Sequence, residues 1–481
     1  MARANTDAAL AEIGRGRPPR AAVLFAGAGG MTLGLCTAGC EIVAAVEIDP
    51  VARLTHEVNF AHRSLFYRSF EDVTRTDPET LTSHLSMFSR SPAGRVDIVA
   101  AGPPCQPYSR VGRARLRSVR GGGPAAWLGD PRIRLLHLTV RMIRALRPLC
   151  YVLENVPELL RFGGRNLAEG VCERLGDLYE SRYFVLQAAR YGVPQWRERL
   201  FIVGFHRSLG IVPAPPAATH GGPVPRGYLT SSPRRIAAFA TGPSRHLVAD
   251  TPAVPRVRPF VTVMEAIGDL PPVSPDGGPR IRMKPVRLPA GGYLSDYARL
   301  MRTWRGFEST GVVEDHVVRA TPRDREIFAR MRPGDEYPQA FRVALEIFRE
   351  RLRDAGNPRP GTRAWLEIRR ATVPPYDPET FPNRWWKLVP GSPSRTLTAH
   401  LGRDCYSHIH FDGSQARTIS VREAARLQSF PDGFRFRGSF NSRMRMIGNA
   451  VPPLLALAVA SRVVRDLREA AGACRSAEAA L

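Results

Sequence analysis

Short apolar runs that alternate with helical stretches constrain the fold of this chain more than any other feature of its sequence. Five runs occur, at 21–25 (AAVLF), 41–47 (EIVAAVE), 96–101 (VDIVAA), 150–153 (CYVL) and 201–204 (FIVG). A Gly-rich turn and an apolar helix to about residue 38 follow the first run, and a helical pattern at 133–146 precedes the fourth. Strands that alternate with helices predict an α/β fold on a doubly wound, mostly parallel sheet.

The alternation stops after residue 207, which divides the 481-residue chain. Residues 208–300 are dense in Pro and Gly, and helical signal returns at 324–353 and 453–467. We predict a flexible tail at 1–19, a first domain at 20–207, a smaller loop-rich domain at 208–430, a segment at 431–470 that returns to the first domain, and a tail at 471–481. Two or three domains suit a chain of this length.

The charge balance limits the class of partner. Lys and Arg number 69 against 44 acids, which gives a net charge of +25. This excess indicates a polyanionic partner, nucleic acid first. Codon usage in a G+C-rich genome would explain the preference for Arg over Lys, but not the excess over acids. We expect no membrane partner, because no stretch reaches the ~18 apolar residues of a membrane helix and residues 1–20 lack the apolar core of a signal peptide.

The seven cysteines favour a reducing compartment. Their number is odd and no C-x-x-C occurs, so disulfide scaffolds and zinc ribbons fit poorly and we predict a cytoplasmic protein without a metal site. Cys105 differs from the other six. It lies in Gly102-Pro103-Pro104-Cys105-Gln106-Pro107, directly after a predicted strand. A rigid Pro-flanked loop at a strand end favours a positioned nucleophile over an inert buried thiol.

A Gly-rich turn follows the first predicted strand, as Phe25-Ala26-Gly27-Ala28-Gly29-Gly30. Such glycines let backbone approach a ligand. Thr32 occupies the third glycine position of a dinucleotide fingerprint, which favours a smaller nucleoside ligand with a carboxylate. Glu47 ends the next strand about 20 residues later, where an acid can accept both ribose hydroxyls. A simple connecting turn is the alternative.

Two further motifs carry polar side chains at strand ends. Glu154 and Asn155 follow the fourth strand, where desolvation would let Glu154 carry a proton near neutral pH; a helix-capping acid is the alternative. Gln195, Arg197 and Arg199 precede the last strand and share one face of an extended segment. That row suits a base edge and phosphates, although a salt-bridged strand edge would look the same.

Taken in order, these motifs resemble the DNA cytosine-5 methyltransferase family of the bacterial type. The resemblance covers the stretches at 25–30, 103–106, 129–132, 154–156, 195–199, 417–432 and 448–453. It implies a class I S-adenosylmethionine-dependent, Rossmann-like catalytic domain at 20–207 and target recognition within 208–430. The chain departs from common family residues in Arg443-Met444-Arg445-Met446, where many members carry Gln, and at Ala26, where Ser is common. Neither departure touches the chemistry.

The resemblance also implies roles for individual residues. Cys105 would attack C6 of a flipped cytosine, Glu154 would act at N3, and Arg199 would reach O2 with Arg197 in support. The cofactor S-adenosylmethionine would contact Phe25, Gly27, Gly29, Gly30, Glu47, Ile48, Asp72, Pro103, Asn449 and Val451. The DNA would contact Gln106, Ser109, Arg110, Arg113, Asn155 and Gln195. The implied partner is double-stranded DNA, bound by a monomer near the nucleoid, alone or beside a cognate restriction endonuclease.

Two other functions compete with this one. A related tRNA cytosine-5 methyltransferase would carry a Cys-Phe-Thr element between 200 and 447, whereas Cys405 is followed by Tyr406 and Ser407. A non-catalytic nucleic-acid-binding relative would use the fold and the positive charge alone. The presence of Cys105 and Glu154 together argues against that function. Trp385 and Trp386 are expected in a core rather than on DNA.

Overall fold

The computed structural model describes residues 2–86, 95–108, 130–250, 252, 256–273, 280–281, 286–288 and 294–478. The chain forms two compact units. Unit 1 comprises Met1–Gly192, Arg197–Pro259 and Ala450–Leu481, and unit 2 comprises Val193–Trp196 and Phe260–Asn449. The division therefore falls at 259/260 and 449/450, whereas the sequence predicted domain limits after 207 and 430.

Most described helices are short. They are α1 (Ala2–Gly14), α2 (Gly30–Thr37), α3 (Pro50–Phe60), α4 (Pro78–Ser86), α5 (Arg134–Leu146), α6 (Leu167–Leu175), α7 (Pro233–Phe239), α8 (Val263–Ile267), α9 (Asp296–Thr303), α10 (Arg325–Arg330), α11 (Tyr337–Asp354), α12 (Arg363–Thr372), α13 (Val421–Leu427), α14 (Phe440–Asn449) and α15 (Pro453–Glu478). Helices α1–α7 and α15 belong to unit 1, and α8–α14 belong to unit 2.

A seven-stranded sheet forms the centre of unit 1. Its strands are β1 (Arg20–Leu24), β2 (Glu41–Val46), β3 (Arg68–Phe70), β4 (Ile98–Ala101), β5 (Cys150–Asn155), β6 (Tyr179–Gln187) and β7 (Glu198–His206), in the order β3-β2-β1-β4-β5-β7-β6. Neighbours among β1–β5 pair in parallel, and β7 pairs antiparallel with β5 and β6. The predicted doubly wound, mostly parallel α/β fold is confirmed.

Two strands of this sheet escaped the sequence prediction. β3 has only three residues, and β6 begins with polar residues that interrupt any apolar run. Along β6, buried Tyr179 and Ser181 alternate with half-buried Glu180 and Arg182, which form an ion pair. In the first half of this strand, burial alternates from residue to residue but hydrophobicity does not. The sequence therefore lacks the alternating pattern that predicts a strand. A short parallel pair, β8 (His220–Gly221) and β9 (Arg258–Pro259), completes the strands of unit 1.

The terminal segments are ordered helices rather than the predicted tails. On α1, Ala9, Leu10 and Ile13 are buried, and this helix contacts α15. Beyond α1, Arg17 donates to the buried carboxylate of Asp97 at 2.7 Å. At the other end, α15 continues to Glu478 and buries Ala471. Apolar side chains spaced along one helical face stabilise both segments by packing them together.

By length and composition alone, one stretch of the described chain could cross a membrane. It lies within Phe440–Ala473 and has a window of mean hydropathy 1.5. However, 67% of that window is buried inside the protein. In unit 1, α15 packs on α2, where a Cβ on Gly34 would lie 2.5 Å from the Cβ of Ala456. This burial is typical of a core helix, which passes the same test.

Unit 2 has its own apolar core. Trp385 is fully buried there among Phe328, Tyr337 and Ile409, which confirms the expectation that it is a core residue. Trp386 is half-buried, and the guanidinium of Arg395 lies 3.6 Å from the centre of its ring. Two antiparallel pairs join the short strands β10 (Arg280–Ile281), β11 (Val286–Arg287), β12 (Val312–Val313) and β13 (Val318–Arg319).

Buried arginines explain the charged motif at 417–432. The guanidinium of Arg417 donates to both oxygens of Glu423 at 2.7 Å, and Arg426 contacts Asp269 and Asp432. All these residues belong to unit 2. The Arg417 charge holds the pKa of Glu423 well below its usual range despite burial. The motif therefore builds the interior of unit 2, and residues 431–449 stay with it instead of returning to unit 1.

Candidate active site

The strands of unit 1 bring the predicted site residues to one edge of the sheet. Phe25, Glu47 and Glu154 lie at the carboxyl ends of β1, β2 and β5, and the loop with Cys105 follows β4. Because these strands are parallel, their carboxyl ends meet. The chain order reverses between β1 and β4, and open α/β sheets bind ligands at such a crevice.

The loop that carries Cys105 is held on both sides. Asn155 donates its side-chain N–H to the Pro103 carbonyl at 3.2 Å, and the Tyr108 backbone donates to the Cys105 carbonyl at 3.0 Å. The Tyr108 ring is fully buried and packs edge-on against Phe162, with centroids 4.9 Å apart. Asn155 thus positions the loop from the neighbouring strand, and Cys105 itself remains half-buried.

Glu154 and Arg199 form an ion pair beside this loop. The Arg199 Nε donates to Glu154 Oε1 at 2.9 Å, and both side chains are largely buried. β7 runs antiparallel to β5, and its Leu200 pairs with Asn155. The start of β7, which carries Arg199, therefore lies beside the carboxyl end of β5. Burial raises the pKa of Glu154 above its usual range, while Arg199 and Arg197 pull it down. The carboxyl is therefore suited to hold or release a proton.

The same charges act on the nucleophile. Burial raises the pKa of the Cys105 thiol, the Arg199 charge lowers it, and Glu154 raises it further. Only the thiolate is a strong nucleophile. The Arg199 charge therefore favours the ionised forms of both Cys105 and Glu154, and the structure brings the four predicted catalytic residues, Arg197 included, within electrostatic reach of one another.

Arg197 anchors the site from within. Its side chain is buried, its backbone N–H donates to Gln187 Oε1 at 2.6 Å, and its Nη2 donates to the Ala450 carbonyl at 2.9 Å. Burial and the neighbouring Arg199 charge lower its pKa. These contacts tie the start of β7 to the segment before α15.

Gln195 does not lie in a row with Arg197 and Arg199 as predicted. It is fully buried and belongs to unit 2, whereas the other two belong to unit 1. Its amide nitrogen donates to the Leu427 carbonyl at 3.1 Å and to Gln428 Oε1 at 2.6 Å, and its oxygen accepts from the Leu397 N–H at 2.9 Å. Since both amide N–H groups are used internally, Gln195 acts as a core hydrogen-bonding residue instead of a DNA contact.

We expect Gln195→Ala to lower the free energy of unfolding by about 1–3 kcal/mol, because buried partners lose their hydrogen bonds. The affinity of the folded variant for duplex DNA should not change. Chemical denaturation and a DNA-binding titration measure the two quantities. Gln106→Ala is the matched control: Gln106 Oε1 has no hydrogen-bond partner among the described residues, so stability should persist. A Gln195 variant with native stability and weakened DNA binding would contradict this role.

The Gly-rich turn adopts a conformation suited to close ligand approach. Phe25 and Gly27 have φ of 56°, and Gly29 has φ of 105°. Glu47 stabilises the turn, because its Oε2 accepts from the Gly27 N–H and its Oε1 accepts from the Asp49 N–H, both at 2.8 Å. A Cβ on Gly27 would meet open space, so a ligand could lie against this backbone. Burial raises the pKa of Glu47, and these N–H donors counteract the shift.

The remaining cofactor residues take different positions. Ile48 is 64% exposed beside Glu47, as an apolar surface for a planar ring requires. Asp72 Oδ1 accepts from the N–H and hydroxyl of Thr74, which holds its carboxylate after β3. A Cβ on Gly30 would lie 2.1 Å from the Val451 carbonyl, so Val451 packs directly on the turn. Asn449 ends α14 in unit 2, and α15 begins at Pro453 in unit 1.

Some predicted residues cannot be placed, and others were missed. Ser109, Arg110 and Arg113 lie outside the described residues. Arg132 was not assigned a role, yet its charge interacts with the Cys105 thiol, and it donates to both oxygens of the buried Asp130 at 2.8 and 2.7 Å. The signal for it was the Gly-Asp-Pro-Arg stretch at 129–132.

Comparison with known proteins shows the family of this chain. Residues 20–229 and 360–465 match the C-5 cytosine-specific DNA methylase family. This chain belongs to that family. M.OihORF3336P of Oceanobacillus iheyensis, named as a type II methyltransferase, is 33% identical over 94% of this chain and 96% of its own length. The type II methyltransferase M.AgeI of Thalassovita gelatinovora is 32% identical over 92% and 98%.

A solved structure extends the comparison to the fold. A protein described as a DNA modification methyltransferase encoded within an E. coli prophage superposes with a TM-score of 0.57 at 20% identity, covering 93% of this chain and 98% of that one. The family match identifies a DNA methyltransferase that acts at C5 of cytosine, and the solved structure shows that the fold is shared. The family match leaves 230–359 uncovered, within the region predicted to recognise the target.

Proposed function

We propose that this C-5 cytosine methylase modifies one specific duplex sequence by flipping the target base and bonding Cys105 to its C6. The observation that carries the proposal is the grouping of Cys105, Glu154 and Arg199 at one edge of the sheet, with the Glu154–Arg199 ion pair at 2.9 Å. An isolated thiol could be inert. A thiol whose pKa responds to both a buried acid and a buried guanidinium suits covalent catalysis.

The residues at the Gly-rich turn fit S-adenosylmethionine. Glu47 presents a carboxylate that can accept from ribose hydroxyls, Ile48 offers an exposed apolar face, and Gly27 leaves open space beside its backbone. When bound, this cofactor supplies an electrophilic methyl group. Phe25, Gly29, Gly30, Asp72, Pro103 and Val451 complete the proposed binding set within unit 1. The acids Glu47 and Asp72 would also favour a cationic ligand.

Each catalytic side chain has one proposed task. The Cys105 thiolate bonds to C6 and makes C5 electron-rich enough to accept a methyl group. Glu154 protonates or hydrogen-bonds N3, which neutralises the charge that develops on the ring as the thiolate attacks. Arg199 holds O2 while retaining Glu154, and Arg197 supports Arg199 from behind. Loss of the C5 proton then releases Cys105 and restores the aromatic ring.

The DNA step requires an extruded base, because C5 is inaccessible within a stacked duplex. We propose that Gln106 and Ser109 help to fill the vacated space, and that Arg110 and Arg113 contact phosphates. Asn155 contributes indirectly by holding Pro103. The net charge of +25 suits a polyanionic substrate, and several phosphate contacts should make binding strongly dependent on salt.

The biological setting follows from the relatives. M.AgeI and M.OihORF3336P are named as type II methyltransferases. We propose that this chain likewise belongs to restriction-modification, as a cytoplasmic, nucleoid-associated monomer that works alone or beside a cognate endonuclease. Co-expression with a chromosomally adjacent nuclease tests the pairing, because a paired methylase protects its host from cleavage.

Transfer of tritium from labelled S-adenosylmethionine to duplex DNA tests the proposed function. We expect label in DNA and none in tRNA offered in competition. Bisulfite sequencing of host DNA that expresses the chain should then show methylated cytosines in a single sequence context. Label in tRNA alone, or no transfer to any DNA, would refute the proposal.

The charges at the site predict a pH dependence. Because Arg199 lowers the pKa of the Cys105 thiol, Arg199→Gln should raise that pKa and move thiolate formation to higher pH. The rate of Cys105 alkylation between about pH 6 and 10, followed by mass spectrometry, measures the shift. Arg182→Gln is the control, because the Arg182 charge acts on Cys172 instead. An unchanged profile for Arg199→Gln would contradict the assigned interaction.

A further inference from the structure

A buried network of polar side chains lies next to the Gly-rich turn, and no step of the proposed reaction uses it. His56, on α3, contacts Thr32 Oγ1 through its Nε2 at 2.8 Å and the Tyr67 hydroxyl through its Nδ1 at 2.9 Å. All three side chains are buried. Thr32 lies in the first turn of α2, two residues after Gly30, so the network connects α3 directly to the cofactor turn.

The turn is also confined by packing. Gly29 is the N-cap of α2, and a Cβ there would lie 2.3 Å from Phe60 Cε2 and 3.2 Å from His56 Cδ2. On Gly30, a Cβ would lie 2.1 Å from the Val451 carbonyl. The His56 and Phe60 rings are one helical turn apart on α3, with centroids 4.7 Å apart. Hence α3 closes the turn at Gly29, and the segment before α15 closes it at Gly30.

The segment that carries His56 also carries the proposed ribose ligand. Glu47 accepts from the N–H of Asp49, and Asp49 caps α3 by accepting from the N–H groups of Val51 and Ala52. Residues 47–60 therefore connect Glu47, at one end of the cofactor site, to the His56 ring, which supports the turn at the other end. A displacement of α3 relative to α2 would therefore move Glu47 and the Gly-rich turn together.

We infer that His56 is a positioning residue for the cofactor. Through its contact with Thr32, it fixes the Gly-rich turn in the position that the methionine portion of S-adenosylmethionine requires. This inference rests on the proposed function. Burial lowers the pKa of His56 to about 3, so the ring stays neutral at physiological pH. A neutral imidazole donates through one nitrogen and accepts through the other, which matches hydroxyl partners on both sides.

Two substitutions separate this role from simple core packing. Because an amide nitrogen of Gln can occupy the place of His Nε2, His56→Gln should retain the Thr32 contact. His56→Asn can replace only Nδ1, so it should retain Tyr67 and lose Thr32. We expect His56→Asn to weaken binding of S-adenosylhomocysteine about tenfold and His56→Gln to bind it nearly as the natural chain does. Isothermal titration calorimetry on the full chain measures both.

Thr32→Val provides a second approach, because it removes the partner hydroxyl at almost constant volume. It should weaken binding of S-adenosylhomocysteine as His56→Asn does, and the double variant should lose little more. Equal affinities for the Asn and Gln variants, or losses that follow only the melting temperature, would overturn the inference. If the natural chain failed to bind S-adenosylhomocysteine at all, the proposed function itself would fail instead.

Discussion

Replacement of Cys105 by Ala should abolish methyl transfer, with a loss on the order of 10⁴-fold or more, as when other covalent enzymes lose their nucleophile. The loss should be this large because no other described thiol is placed to substitute. Cys36 is half-buried in α2, and burial raises its pKa to about 12. Single-turnover transfer of labelled methyl to duplex DNA measures the effect.

Binding measurements and trapping of the covalent adduct show whether Cys105→Ala loses only the methyl transfer step and keeps its affinity for cofactor and DNA. The Cys105 variant should bind S-adenosylhomocysteine and duplex DNA with unchanged affinity, and Cys36→Ala should retain full activity as the matched control. With an oligonucleotide that carries 5-fluorocytosine and with the methyl donor, the natural chain should form a covalent adduct on Cys105. An active Cys105→Ala variant, or an adduct on another residue, would refute the assigned nucleophile.

Glu154→Gln is expected to have the second largest effect, a loss of about 10²–10⁴-fold in the methyl transfer rate. The amide preserves the shape of the carboxyl, but it cannot deliver a proton to N3. It also leaves the guanidinium of Arg199 without its charged partner at 2.9 Å. The affinity for the cofactor should persist, because the proposed cofactor residues Phe25, Glu47 and Asp72 follow β1, β2 and β3, whereas Glu154 lies at the end of β5.

A buried acid elsewhere in unit 1 supplies the control for Glu154. Glu169 accepts from the Tyr183 hydroxyl at 2.9 Å and contacts His246 at 2.7 Å, away from the site residues. Glu169→Gln should reduce stability and leave the transfer rate of the folded protein intact. Because burial raises the Glu154 pKa, the natural rate should decline where rising pH removes that proton. A Glu154→Gln variant with the natural rate would exclude proton delivery by this residue.

Local signals in the sequence were sufficient for residues that follow strands. Glu47 ends an apolar run, Glu154 directly follows one, and Cys105 lies in the loop after another. Parallel pairing requires such positions to meet at one edge. The same reasoning failed for Gln195. Alternation predicts an extended segment from Gln195 through Arg199, whereas β7 begins at Glu198 and Gln195 is buried in unit 2.

The amino-acid sequence by itself determined the α/β class and the order of the site motifs, and it predicted Cys105 as the nucleophile. These depend on hydrophobic period and on residue type, which are local properties. Tertiary structure alone decided that α1 and α15 pack together, that β7 reverses to bring Arg199 beside Glu154, and that His56 contacts Thr32. Such contacts join residues far apart in the chain, and their free energy comes from burial and from hydrogen bonds that no local pattern specifies.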